Sequence, residues 1–357
     1  MPDQLVFSFP HIGNYYIILK GLVNDLYPDA KVLPPPPITN RTIELGARCS
    51  PDFVCAPFKY NMGNYIEALD AGANVLLQTG TGCRFAYYGE VQKQILEDLG
   101  YDFTLLCLSR ENTQARNAYR LLKSVDHKLR PGRFARAFVL ALRKILLMDE
   151  IENYIRQNVG FETVPDSFEA LHLQFLKDLD RTRTFPQLRA LRIKYRKQLK
   201  CLNVTKPDRY LRVGIVGELY TLMEPFSNYY LEKELAKSQI MVSRTMSASF
   251  LLLGKKANNP FRQSNGYLKY PIGATGADSV VQCKQYFDAG YDGVIHMKSY
   301  GCTPEINAMP ALRNLSRDYG CPIMHLSFDT QLGETGMQTR LEAFVDMISM
   351  RKGILLA

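Results

Sequence analysis

A chain of 357 residues, 46% hydrophobic and 22% charged, has the composition of a folded protein with room for two cored domains, which excludes a disordered or fibrous chain. No apolar run is long enough to span a bilayer and the start Met-Pro-Asp-Gln lacks the basic segment of a secretory leader, so a cytoplasmic protein is expected; eight cysteines there point to metal ligation, redox chemistry or burial rather than a disulfide framework. The net charge of +9 is local, because residues 110–200 hold 20 Lys and Arg against 10 Asp and Glu and the rest of the chain is close to neutral.

In chain order, short apolar runs predict strands at Leu5–Phe9, Val32–Leu33, Val75–Gln78 and Phe103–Leu108, separated by helical stretches such as Gly63–Ala71 and Gly89–Leu99. Pro34-Pro35-Pro36-Pro37 fits neither helix nor central strand and reads as a stiff surface connection. From Glu111 to Cys201 the pattern is helical, with breaks at Pro131-Gly132, Gly160, Pro165 and Pro186. Within it Leu188, Leu191, Tyr195 and Leu199 form an apolar stripe beside a basic one of Arg189, Arg192, Arg196 and Lys200. That basic stripe is either a solvated helix face or a docking surface for an acidic protein or for ligand phosphates. Nucleic acid is not expected, since no recognition motif accompanies the charge. Strands return at Leu211–Val216, Ile240–Ser243, Gly293–Met297 and Pro322–Leu326, and an apolar-periodic helix over Thr339–Met350 closes the chain. This alternation predicts an α/β protein of two pseudo-symmetric, Rossmann/flavodoxin-like lobes with largely parallel sheets: a first lobe over 1–110, a basic helical insert over 111–208 and a second lobe over 209–357.

Matching residues suggest the pseudo-symmetry, the alternative being that all β-α-β units look alike. Asp70-Ala71-Gly72 precedes the strand Val75–Gln78 and then Cys83; Asp288-Ala289-Gly290 precedes Gly293–Met297 and then Cys302. Asn14-Tyr15-Tyr16 and Asn228-Tyr229-Tyr230 likewise follow the first strand of each half. Cys83 and Cys302 therefore fall just past the carboxyl ends of corresponding strands, where open α/β sheets bind ligands. With Cys55 they make a set of thiolates that can hold three irons of a [4Fe–4S] cubane and leave the fourth iron open. The flanking Gly82 and Gly301 allow close backbone approach, and Lys59 and Arg84 would offset the cluster's negative charge. Buried thiols or a zinc site are the alternatives. Cys107 reads as core and Cys201 as incidental, whereas Cys49, Cys283 and Cys321 would complete the thiolates of a double-cubane [8Fe–9S] cluster. His11, Glu218 and Glu305 stand at strand ends as acid/base candidates, with helix capping the alternative for the two glutamates; His296 and His325 read as satisfied core residues.

Ser50–Gly63, Gly80–Glu90, Gly290–Glu305 and Thr339–Phe344 resemble the D-component family of 2-hydroxyacyl-CoA dehydratases, especially its CoA-substrate-activase-related branch, through both lobes. The resemblance implies a [4Fe–4S] cluster on Cys55, Cys83 and Cys302. A separate ATP-hydrolysing iron–sulfur activator would inject a low-potential electron, and a hydroxyacyl-CoA thioester would lose water through a ketyl radical. It also implies anaerobic metabolism and a homodimer, or a heterodimer with a related subunit. The chain has no Gly-x-x-x-x-Gly-Lys-Ser/Thr loop, so ATP hydrolysis is assigned to the partner. Two other functions stay open: a non-catalytic electron- or cluster-transfer protein or double-cubane reductase, and a two-lobed small-molecule binder.

Overall fold

The computed structural model describes residues 4–79, 83–108, 115–254, 259–329 and 333–354. It falls into two compact units, Met1–Ile145 with Leu179–Leu188, and Leu146–Asp178 with Arg189–Ala357.

The first unit runs β1 (Val6–Ser8), α1 (Tyr16–Leu26), β2 (Lys31–Val32), α2 (Asn40–Arg48), α3 (Ala56–Asp70), β3 (Val75–Thr79), α4 (Tyr88–Asp98), β4 (Thr104–Leu108) and α5 (Ala115–Val125). Its strands pair in parallel in the order β2-β1-β3-β4. Phe7, Val75, Leu77 and Leu106 pack on one face with Val23 and Leu26 of α1, while Leu76 packs on the other with Met62, Tyr65 and Ile66 of α3. A polar, short α2 holds because Thr39 and Thr42 cap its start reciprocally. It meets α3 backbone to backbone, because a Cβ added to Gly46 would strike the Lys59 carbonyl and one added to Gly63 the Thr42 carbonyl.

Three helices follow, α6 (Pro131–Asn158), α7 (Ser167–Arg181) and α8 (Phe185–Cys201). They are shared between the units rather than set apart as a third. In the first unit the ammonium of Lys144, buried on α6, donates to the Leu179 carbonyl at 3.2 Å, and Lys20 pairs with Asp180 at 2.8 Å. In the second, Arg156 of α6 pairs with Glu232 at 2.8 Å.

The second unit continues with β5 (Arg212–Gly217), α9 (Leu219–Met223), α10 (Leu231–Lys237), β6 (Met241–Arg244), α11 (Ala248–Leu253), α12 (Pro260–Gln263), α13 (Gly276–Asp288), β7 (Gly293–Ser299), α14 (Thr303–Tyr319), β8 (Ile323–Phe328) and α15 (Glu334–Lys352). Its parallel sheet has the order β6-β5-β7-β8, the order of the first sheet repeated. Ile295, Met297, Leu326 and Phe328 face α10 and α15, while Val294 faces α13 and α14. Glu232 of α10 lies between Arg156 and Arg244; burial pushes its carboxyl up, and the two guanidiniums outweigh that and hold it below the usual range.

Register fixes the equivalence of the lobes residue by residue. The side chain of Asn74 accepts from the Val6 N–H at 2.8 Å, and that of Asp292 from the Arg212 N–H at 2.7 Å, each just before the third strand. Val75 pairs with Phe7 as Gly293 does with Val213. Gln78 therefore corresponds to His296, and their partners on the fourth strand, Cys107 and His325, correspond to each other. Asn14-Tyr15-Tyr16 leads into α1 and Asn228-Tyr229-Tyr230 into α10, although Tyr229 and Tyr230 both take the left-handed conformation and Tyr15 does not. Among the described residues no helix is long and apolar enough to cross a membrane.

Candidate functional site

Each of the three cysteines singled out in the sequence heads a helical segment. Cys55 is the N-cap of α3 and Cys302 that of α14, both with proline two residues on, which starts a helix where its missing N–H is no loss. Cys83 is the N-cap of a 3₁₀ turn, Arg84–Tyr87, that runs directly into α4. A helix start favours the thiolate over the thiol through its unpaired N–H groups and dipole. In the first unit the Tyr88 hydroxyl lies 3.0 Å from Cys55 Sγ, and the Phe85 N–H points to Cys83 Sγ at 3.4 Å. Burial and then the adjacent Cys55 push the Tyr88 hydroxyl above its ordinary pKa, keeping it a donor. Cys83 is exposed and Cys55 and Cys302 half-buried. Among the described residues no group of three or more His, Cys, Asp or Glu side chains is set to hold a metal ion. The donor chemistry suits a thiolate-bound group all the same, since each sulfur stands at a helix start.

A polar chain lies under the sheet of the second unit, on the face of α13 and α14. Glu305, in the first turn of α14, is fully buried; its Oε1 accepts from the Thr275 hydroxyl at 2.6 Å and its Oε2 lies 2.9 Å from His296 Nε2. His296, fully buried on β7, places Nδ1 2.9 Å from Nδ1 of His325 on β8, the residue opposite it in the register. The geometry settles the tautomers when Glu305 is a carboxylate: His296 donates from Nε2, so its Nδ1 accepts, and His325 carries its proton on Nδ1. Burial first, then His296, Arg313 and Lys298, push the His325 imidazole down to about 4, so that ring is neutral near neutral pH.

Around this chain Glu218 caps α9, accepting from the Tyr220 and Thr221 N–H groups at 2.8 and 2.9 Å and from the Thr221 hydroxyl at 2.7 Å. Burial raises its carboxyl against those three donors, and the nearby Glu305 adds to the rise. Lys298, buried two residues past His296, has its ammonium pushed down by burial and pulled back by Cys302 and Glu305. Gly301, half-buried, directly precedes Cys302. In the first unit His11 follows β1, takes a backbone hydrogen bond to Asn64 at 2.7 Å and stacks on Tyr16 at 5.5 Å. Lys59 lies on α3 and Arg84 is exposed one residue after Cys83, while Gly82 lies outside the described residues.

His296 and His325 were missed by sequence reasoning. Each is flanked by apolar residues along its strand, and Glu305 stands nine residues after His296, in the first turn of the next helix; a polar residue in each apolar run is the signal that was available. Cys283 sits in the apolar cluster beneath α13, and burial pushes its thiol well up. Cys321, half-buried against the same cluster, has its thiol raised to about 11 by burial and donates to the Tyr291 carbonyl at 3.4 Å. Cys49 packs at the edge of the α3 cluster. Glu150 answers much of the basic stripe on α8, pairing with Arg192 at 2.8 Å and with Arg196.

A parallel two-lobed α/β protein with chemistry-bearing residues at the strand ends is the class that fold and site define. The family model described as 2-hydroxyglutaryl-CoA dehydratase, D-component, matches residues 112–348, and the chain belongs to that family. The match takes in the helical stretch, the whole second sheet and Cys302, and leaves Cys55 and Cys83 outside it. No curated protein sequence matches the chain.

Proposed function

We propose that the chain is the cluster-bearing component of a 2-hydroxyacyl-CoA dehydratase-like system of the CoA-substrate-activase-related branch. Cys55, Cys83 and Cys302 would hold a [4Fe–4S] cluster. The observation that carries the reading is the D-component match together with Cys302 at the head of α14, past the same strand of its sheet as Cys83 is of the other. When bound, such a cluster supplies one-electron reduction and an iron open to a substrate oxygen. The electron would come from a separate ATP-hydrolysing activator. The residues of this chain do the remainder: Tyr88 donates to the Cys55 sulfur, Lys298 sets positive charge beside Cys302, and Glu218 and Glu305 hold or release protons at the strand ends. His11 is the acid/base candidate of the first lobe. Along the sequence the proposed division is a first lobe over 1–110, a basic helical insert over 111–208 and a second lobe over 209–357, and the family match begins at the start of the insert.

Anaerobic purification with iron and sulfide analysis tests this directly. About four irons per chain, lost on Cys302→Ala, supports the reading; iron content untouched by Cys302→Ala defeats it. About eight irons would favour the double-cubane reductase. Water loss from 2-hydroxyglutaryl-CoA, dependent on activator and ATP, separates the dehydratase from a protein that only passes electrons or clusters.

A further inference from the structure

We propose that His325, His296 and Glu305 form a proton conduit, by which a proton taken up at Nε2 of His325 arrives on the carboxylate of Glu305 at the start of α14. The links are a 2.9 Å contact between the two Nδ1 atoms and a 2.9 Å contact from His296 Nε2 to Glu305 Oε2. As a proton binds His325 Nε2, the Nδ1 proton of His325 passes to His296 Nδ1, and the Nε2 proton of His296 passes to Glu305. The end state is a carboxylic acid donating to His296 Nε2, with His296 protonated on Nδ1 and His325 on Nε2. One proton enters, one carboxylate is neutralised, and neither ring is left charged.

Burial explains why such a chain works and why packing alone does not require it. Burying a histidine and a carboxylate completely is costly unless every link is satisfied. The first lobe shows that the fold does without them, since Gln78 and Cys107 fill the same two strand positions. His325 is half-buried, which gives the chain an outer end, whereas Glu305 is its buried end. The charged and titratable groups around it are Glu218 at the head of α9, Lys298 on β7, Arg313 and Cys302 on α14, and Arg340 of α15, which donates to the His325 carbonyl at 2.8 Å. Thr275 of the α13 cap holds the other carboxylate oxygen. The use of the conduit, protonating a hydroxide as it leaves, rests on the dehydratase reading; the conduit itself rests on the second unit alone.

Nitrogen NMR of the full chain, labelled in its five histidines, tests it without iron or substrate. Ring signals are assigned with His325→Gln and His296→Gln. The expected result is a tautomer exchange: as pH falls, His296 moves from Nε2–H to Nδ1–H and His325 from Nδ1–H to Nε2–H, with one shared midpoint. Glu305→Gln should abolish the exchange. Thr275→Val, which keeps the chain intact and removes one donor to the carboxylate, should move the shared midpoint to higher pH. Separate midpoints, or rings that pass straight to imidazolium, would overturn the conduit. So would an exchange that survives Glu305→Gln. A protein found to lack iron would end the dehydratase reading and leave this result standing.

Discussion

The two lobes repeat one strand order and differ in what their third and fourth strands carry toward the following helix. In the first lobe Gln78 accepts from the Tyr65 hydroxyl at 2.9 Å and lies beside Cys107, and α4 presses on both through Gly89. In the second the same positions are His296 and His325, and α14 brings Glu305 against them. A neutral, close-packed pair has become a titratable, hydrogen-bonded chain on an unchanged backbone plan. The scaffold therefore does not explain the histidines, and difference from the sister lobe is the better guide to chemistry than burial, which both pairs share.

The comparison breaks most sharply at His296. His296→Leu leaves the fully buried Glu305 without its ring partner and should destabilise the protein by about 3 kcal/mol at neutral pH in denaturant unfolding. Removing Gln78 by Gln78→Leu, in contrast, should cost less than about 1.5 kcal/mol, because it gives up one neutral hydrogen bond. Equal losses would show that the two pairs are energetically alike.

The second effect is pH-dependent. His325 is held down to about 4 when folded and returns to about 6.5 when unfolded, so the unfolded chain binds the extra proton between these values and stability falls as pH drops through that window. The full difference is about 3 kcal/mol, and partial exposure of the ring trims it to about 2 kcal/mol. His325→Gln, whose amide can still donate to His296, should flatten that slope between pH 6.5 and 4 in urea titrations. An unchanged slope would place the dependence elsewhere.

Smaller effects sharpen the first lobe. A Cβ on Gly89 would lie 2.3 Å from Cys107 Sγ, so Gly89→Ala should destabilise by about 1–3 kcal/mol, and adding Cys107→Ala should recover most of it. Additive losses would mean that α4 is displaced by something other than that sulfur. Tyr65→Phe removes the hydroxyl shared between Gln78 and the Leu77 carbonyl and should cost about 1 kcal/mol, with no change in the pH profile of stability.

Much of this was legible in the residues. The eight strands fall within a residue or two of their expected places, because each is a short apolar run, and most are closed by glycine, proline or aspartate. The expected helix at Gly63–Ala71 begins earlier, at Ala56, and neither the helix start at Cys55 nor that at Cys302 was anticipated, although each has a proline two positions on. What escaped were facts of pairing. α2 is polar and short, so its existence depends on the Thr39 cap and on Gly46 meeting the α3 backbone. His296 is in the core as expected and His325 is half-buried, but their partnership depends on strand register, which joins residues far apart in the chain. The sharing of the helical stretch between two units hinges on contacts such as Lys144 to the Leu179 carbonyl, which no local pattern announces.

That sharing governs the order in which the chain can be completed as it is made. The first unit is not closed by its first 145 residues; it takes back Leu179–Leu188 after the chain has already contributed α7 residues to the second. A fragment ending near residue 150 would have Lys144 with neither the Leu179 carbonyl nor Asp180 to meet it. The first sheet can form early, but its outer helical layer must wait for Leu188 to leave the ribosome. Released fragments ending at about residue 150 and about residue 230 should thus differ in protease resistance within residues 130–145, far more than in the sheet itself.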